Sequence, residues 1–240
     1  MLKARNREEL LELLIRMGYE NYTIIEGKGV YTVIIKNGKD SILKVKKPYT
    51  YGEALEDFRD YLPERIYRNF SRFLKNRIET KALSVAKRFL KEKKRFLLIS
   101  GGVGIGKTTA CVFTAFQLYR YHKIRNPLFV SVPSLMIEKE EVLKEVKNSD
   151  CIILDDFNKV NEVAKGIAIE IFLHAWNKNK YILVNTNLSG KDLKEYFDQH
   201  LLSRIKEEGM IVEIQDRDYR VLIQKRGAND DRVTLCENTR

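Results

Sequence analysis

The segment Gly101-Gly102-Val103-Gly104-Ile105-Gly106-Lys107-Thr108-Thr109 has the spacing G-x-x-x-x-G-K-[ST], which predicts polyphosphate chemistry. Its glycines let successive backbone N–H groups curl around an anion that a Cβ would hold off, and a following helix would add its positive end. Lys107 is then placed to bridge the β- and γ-phosphates of ATP, and Thr108 to set a hydroxyl on Mg²⁺. A chance glycine-rich turn would lack the flanks seen here, the apolar run FLLIS before the loop and TTACVFTAFQLYR after it. The segment CIILDDF, 151–157, supplies a second requirement, an apolar run ending in carboxylates. Asp155 is the expected metal ligand. Asp156, one step on, is expected to orient the attacking water and accept its proton.

These residues need a scaffold that brings strand ends together. Apolar runs predict strands at Phe96 to Ser100, Leu128 to Val132, Cys151 to Asp155, Tyr181 to Asn185 and Met210 to Ile214, with helical stretches between them. Such alternation implies a parallel sheet covered on both faces. Ahead of it, Asn6 and Glu9 read as a helix cap before Leu10, Leu11, Leu14 and Met17, with Gly18 as the stop. Runs at Tyr22 to Ile25, Val30 to Ile35 and Ser41 to Val45 read as strands, and Asn37-Gly38 as a tight hairpin turn. The expected organisation is an αβββ appendage at 1–47, a linker or helix at 48–61, the catalytic domain at 62–226 and a tail at 227–240.

Lys and Arg number 44 against 33 Asp and Glu, a net charge of +11. The excess is local: residues 1–64 are neutral, 65–94 carry 11 basic residues against Glu79 and Glu92, and 95–240 carry +2. Arg77, Lys81, Arg88 and Lys91 fall within about 80° of one another at 3.6 residues per turn, beside an apolar stripe of Ile78, Ala82, Val85 and Phe89. That reading makes one helix with a cationic strip for DNA phosphates, or a solvated face in a lysine-rich chain. Apolar residues at 44% exclude a disordered chain. No apolar run reaches the roughly 18 to 20 residues of a membrane span, and charges at Lys3, Arg5, Arg7, Glu8 and Glu9 interrupt any signal-peptide core, so a cytoplasmic protein without membrane partners is expected. Cys111, Cys151 and Cys236 lack metal or disulfide spacing, and His122, His174 and His200 read as structural or surface residues.

With the phosphate loop and the paired aspartates in view, the segments after Asp156 resemble the DnaC/IstB-like AAA+ ATPases over about Leu62 to Arg220. LPERIYRNFSRF, 62–73, stands where that group carries its entry segment, which implies adenine near Ile66 to Phe70. YILVNTNLSGKDL, 181–193, is similar to the group's strand ending in Thr-Asn-Leu, which implies Asn187 as the sensor of the γ-phosphate, with Thr186 and Asn185 as alternatives. HLLSRIKEEGMIVEIQDRDYR, 200–220, resembles the group's Ser-Arg-hydrophobic motif and makes Arg204 the arginine finger offered to a neighbouring subunit. Taken alone, Arg204 reads as an exposed helical arginine beside Glu207 and Glu208.

The resemblance implies an α/β fold: an AAA+ P-loop NTPase three-layer αβα sandwich with a five-stranded parallel sheet in the order 5-1-4-3-2. It implies slow, oligomer-dependent ATP hydrolysis, a homo-oligomer, DNA as partner with single strands the first expectation, and a replicative helicase or initiator protein. An IstB-type transposition helper and a non-hydrolysing nucleotide-gated adaptor are the alternatives. Departures are a second Asp where AAA+ ATPases usually carry Glu, Phe157 where relatives carry a small hydrophobic residue, and only 26 residues after Ile214, which predicts no separate helical lid.

Overall fold

The computed structural model describes residues 2–37, 39–92, 94–158, 160–197 and 199–219, with the side chains of 37, 39, 195, 196, 199–202 and 204 outside that description. The expected tail at 227–240 therefore lies outside the described residues. Two compact units are formed, the first from Met1–Asp60 and Phe116–Arg125, the second from the remaining described residues.

In the first unit, β1 (Leu2–Lys3), β2 (Tyr22–Gly27), β3 (Val30–Asn37) and β4 (Lys39–Lys46) form a sheet in the order β1-β4-β3-β2. Helix α1 (Arg7–Arg16) is capped by Asn6, whose Oδ1 accepts from the Glu9 N–H at 2.8 Å. Its Leu10 and Leu14 pack with Tyr31, Val33, Ile35 and Val45, the inward residues of a period-two pattern. The αβββ reading missed β1, because a two-residue strand has too little pattern to register. Helix α2 (Tyr51–Phe58), with a Thr50/Glu53 capping box, and the end of α5 (Lys107–Arg120) complete this unit. Phe58 meets Phe116 edge-on at 5.6 Å there.

The second unit carries a five-stranded sheet, β6-β7-β8-β5-β9, all pairs parallel: β5 (Phe96–Gly101), β6 (Pro127–Ser131), β7 (Cys151–Asp155), β8 (Tyr181–Thr186) and β9 (Gly209–Ile214). Numbered within this sheet and read from β9, the order is 5-1-4-3-2. Phe96, Leu98, Ile152, Leu154, Ile182 and Val184 face one side, packed with residues of α6 (Leu135–Asn148) and α7 (Glu162–Asn177). Their strand neighbours Leu97, Ile99, Ile153 and Leu183 point the other way and are equally buried, so both faces are covered. α3 (Glu64–Asn76), α4 (Lys81–Lys91), α8 (Gly190–Tyr196) and α9 (Gln199–Glu208) complete the unit. Among the described residues no helix is long and apolar enough to cross a membrane.

One expectation is corrected. Residues 77–91 do not form a single helix: α3 ends at Asn76, Arg77 takes a left-handed φ of 47°, and Thr80 caps α4 by accepting from the Leu83 N–H at 3.0 Å. A threonine hydroxyl facing open amides is a stronger helix start than continuation through Ile78. Arg77 therefore lies off the face that carries Lys81, Arg88 and Lys91.

Candidate nucleotide site

The strand register aligns the C-terminal ends of the sheet, pairing Ser131 with Asp155 and Ser100 with Thr186. In open parallel sheets such ends form the ligand crevice. The loop from Gly101 to Gly106 leaves β5 there and enters α5 at Lys107. Gly101 (φ 146°) and Gly104 (φ 78°) hold left-handed conformations that strain a side chain; a Cβ would also run into the Ile214 backbone carbonyl at the first, and would displace the Asp218 carboxylate at the second. Ile105 is buried and anchors the loop, whereas Val103 is exposed.

Lys107 is the pivot of the polar network. Its Nζ donates to the carbonyls of Gly101 at 2.9 Å and Gly102 at 2.6 Å, and to Asn187 Oδ1 at 2.7 Å. Loop, helix and the end of β8 are thereby joined through one ammonium. Thr108 Oγ1 donates to Asp155 Oδ1 at 2.8 Å, and Asn185 Nδ2 donates to the same oxygen. Burial pushes the Asp155 carboxyl above its usual range; the bonds from Asn185 and Thr108 oppose that, the charge of Asp156 adds to it, and Lys107 opposes it. A carboxylate that is costly to ionise when buried favours a cation beside it. The Thr108 hydroxyl and Asp155 carboxylate are hard oxygen donors at the start of α5, which fits Mg²⁺ shared with phosphate oxygens.

Asp156 is exposed and takes a left-handed φ of 55°, a conformation that Asp tolerates better than most residues. Its N–H donates to Asn185 Oδ1 at 3.2 Å. Phe157 holds the turn down: its N–H donates to the Asn185 carbonyl at 3.0 Å, and its buried ring stacks on Phe197 at 5.1 Å. The residue that departs from the family pattern is thus a core anchor for the acidic turn.

The structure therefore brings Lys107, Thr108, Asp155, Asp156 and Asn187 together. Arg204 lies on α9, and its side chain is outside the described residues. Sequence reasoning named Asn185 only as an alternative sensor and missed two further participants. Asn185 is a buried positioning residue between both aspartates. Asn158 Oδ1 accepts from the Asn187 N–H at 2.7 Å and ties the acidic turn to the sensor loop. Residues 215–219 return to the phosphate loop, with the Tyr219 N–H donating to the Gly104 carbonyl at 3.0 Å and the Tyr219 hydroxyl to Asp216 at 3.0 Å. The Tyr219-Arg220 ending of the segment is the sequence feature that could have signalled that return.

Residues 78–216 match the family model described as Novel STAND NTPase 3. The chromosomal replication initiator protein DnaA of Ruegeria sp. (strain TM1040) is 26% identical over 136 residues, 51% of this chain and 28% of that protein. The DnaA of Roseobacter denitrificans (strain ATCC 33942 / OCh 114) is 26% identical over 136 residues, 51% of this chain and 29% of that protein. The chain thus spans under a third of the length of these curated relatives. Among solved structures, AMPPCP-bound DnaA from Aquifex aeolicus superposes with a TM-score of 0.47 and 20% identity, covering 64% of this chain and 53% of that one. A DnaI crystal structure gives a TM-score of 0.47 and 23% identity, covering 58% and 83%. The five-stranded parallel sheet has the 5-1-4-3-2 order expected from the resemblance, with the phosphate loop leaving the end of β5. On the match over 78–216, more than half its length, the chain belongs to the Novel STAND NTPase 3 family.

Proposed function

We propose that this chain binds and hydrolyses ATP within a self-assembled, DNA-associated oligomer that assists replication initiation or loads a helicase, with hydrolysis resetting the assembly. The observation that carries the catalytic part is the joined pair of bonds from Lys107 to Asn187 and from Thr108 to Asp155, at 2.7 and 2.8 Å. They assemble a lysine, a hydroxyl, a carboxylate and an amide around one loop that suits phosphates. The replication part is supported by the relatives named chromosomal replication initiators, which match about half of this chain.

In this reading the loop amides and the Lys107 ammonium hold the β- and γ-phosphates. Asn187, already on the lysine, hydrogen-bonds a γ-oxygen or the water. The exposed Asp156 carboxylate orients that water and takes its proton as the water oxygen bonds to the γ-phosphorus and the β–γ bridging oxygen leaves with the electron pair. Thr108 and Asp155 would hold Mg²⁺, which would supply positive charge to offset that of the phosphates. Arg204 of a second copy would stabilise the transferring group, a contribution of about 10³ to 10⁵ in rate in related phosphate-loop systems.

Lys107→Ala removes the group common to the loop and the sensor. We expect nucleotide binding, read by fluorescent-nucleotide titration, and steady-state hydrolysis both to be lost while the fold, read by circular dichroism, persists. Wild-type turnover in that variant overturns the site.

A further inference from the structure

The basic excess over 65–94 divides between two helices that use their cations differently. On α4, Lys81 Nζ donates to the Gln215 carbonyl at 2.9 Å, and its N–H reaches Asp216 at 3.4 Å. Arg88 Nη2 lies 3.6 Å from Met210 Sδ, and Lys87 pairs with Glu79 at 2.6 Å. These side chains fasten α4 to β9, to the segment after it and to its own entry turn.

Helix α3 is built otherwise. Arg65, Arg68, Arg72 and Lys75 are all exposed, and their spacing of three, four and three residues confines them to about 80° of arc along about 15 Å of axis. Ile66, Tyr67, Phe70, Phe73 and Leu74 occupy the opposite arc, with Phe70 and Phe73 buried. Arg68 pairs with Glu64 at 2.7 Å, an exposed i,i+4 contact worth little. No other acidic residue occurs from 65 to 78. Arg65, Arg72 and Lys75 have no carboxylate partner among the described residues.

We propose that this outward face of α3 is a nucleic-acid backbone site, with Arg65, Arg68, Arg72 and Lys75 each meeting a phosphate. Four cations in one file, three of them arginines whose planar forks suit phosphate oxygens, match a linear polyanion. The face carries no aromatic ring, since Tyr67 lies on the opposite arc, so it reads phosphates and not bases. An anionic membrane is a poorer fit, because the apolar side of α3 is committed to packing and has nothing to insert. The inference rests on the reading of the chain as DNA-associated, and it moves that contact from the residues the sequence singled out to the preceding helix.

The test is fluorescence anisotropy of the full chain, with ATP and Mg²⁺, on a duplex and on an oligothymidylate of about 30 bases across salt concentration. Replacing Arg65, Arg68, Arg72 and Lys75 with Gln together should lower the salt slope by about 3.6 on duplex or about 2.8 on single strands, and affinity near 0.1 M salt on the order of 10³-fold. Replacing Arg65, Arg68 and Arg72 with Lys, which keeps the charge, should retain the slope. Wild-type binding with an unchanged slope in the Gln variant overturns the α3 site and leaves the DNA reading standing. A larger loss from Arg77→Gln, Lys81→Gln, Arg88→Gln and Lys91→Gln together also overturns it. Wild-type protein that binds neither probe, or that binds only phosphatidylserine vesicles, overturns both the site and the DNA reading, while the nucleotide assay on Lys107→Ala stays independent.

Discussion

Asn185, only 1% exposed, serves both aspartates at once. Its Nδ2 donates to Asp155, its Oδ1 accepts from the Asp156 N–H, and its carbonyl accepts from the Phe157 N–H. Asn185→Ala removes one donor from a buried carboxylate and the acceptor that holds Asp156 in its left-handed turn. Hydrogen bonds to charged groups are worth about 1.5–3 kcal/mol, so a fall of about 10- to 100-fold in kcat is expected. Nucleotide affinity, held by Lys107 and the loop, should change less. Steady-state hydrolysis measured beside nucleotide Kd separates the two effects, and a wild-type kcat would show that Asn185 only fills space. The sequence showed three polar residues in a row, Asn185, Thr186 and Asn187, and could not divide the work among them. That division depends on where Lys107 and Asp155 project from other strands, which no local pattern carries. The structure gives Asn187 the lysine, Asn185 the aspartates, and Thr186 the Phe157 carbonyl.

Elements were legible where one physical signal dominated. Each strand of the larger sheet is a short apolar run, and the structure shifts its expected ends by one residue at most. The break between α3 and α4 was hidden because Arg77 is not a turn-former and the 3.6-residue period happens to continue across it. A comparable substitution closes α5. His122, at φ 54°, takes the left-handed position after the helix, its N–H donating to the Tyr119 carbonyl at 2.8 Å while the Lys123 N–H donates to Leu118 at 2.9 Å. Glycine usually fills that position. The imidazole does more than turn the chain: its Nε2 donates to the Lys47 carbonyl at 2.6 Å, and the ring lies 4.4 Å from that of Tyr49. Burial pushes its pKa down; the Lys47 bond opposes this, and the charges of Lys46, Lys3 and Arg125 reinforce it. A depressed folded pKa means the folded state binds the proton less readily than the unfolded chain. Stability present above the unfolded value of about 6.5 is therefore lost as pH falls through and below it. Between about pH 7 and 5 the thermal midpoint should fall more steeply in the wild type than in His122→Asn, which keeps a residue suited to positive φ. Parallel pH profiles of the two proteins would remove His122 as the source.

At the scale of the whole molecule, one copy of the chain supplies an asymmetric site. In the proposed reading Lys107, the loop amides and the start of α5 would face the phosphates from the sheet side, while Asp156 and Asn187 are exposed at the outer edge. Charge that develops on the γ-phosphoryl oxygens at that edge must be met by solvent or by another molecule, and solvent stabilises it poorly because water must reorient as the charge forms. The family resemblance assigns the role to Arg204 of a neighbouring copy, in a head-to-tail contact that repeats from subunit to subunit. Specific activity should then rise with protein concentration. A sharper consequence follows for mixtures. Arg204→Ala keeps its own Asp156 but offers no finger, whereas Asp156→Asn offers the finger but cannot position its own water, so each protein alone should be nearly inactive. In an equal mixture that assembles at random, about a quarter of the sites combine an intact Asp156 with a neighbour's intact Arg204, and activity should recover to about that fraction of wild type. Hydrolysis measured across mixing ratios should peak near equality and vanish at both ends. Folded proteins that show no recovery at any ratio would mean that Arg204 acts within its own chain or not at all, and the site would then have to complete its charge balance without a second subunit.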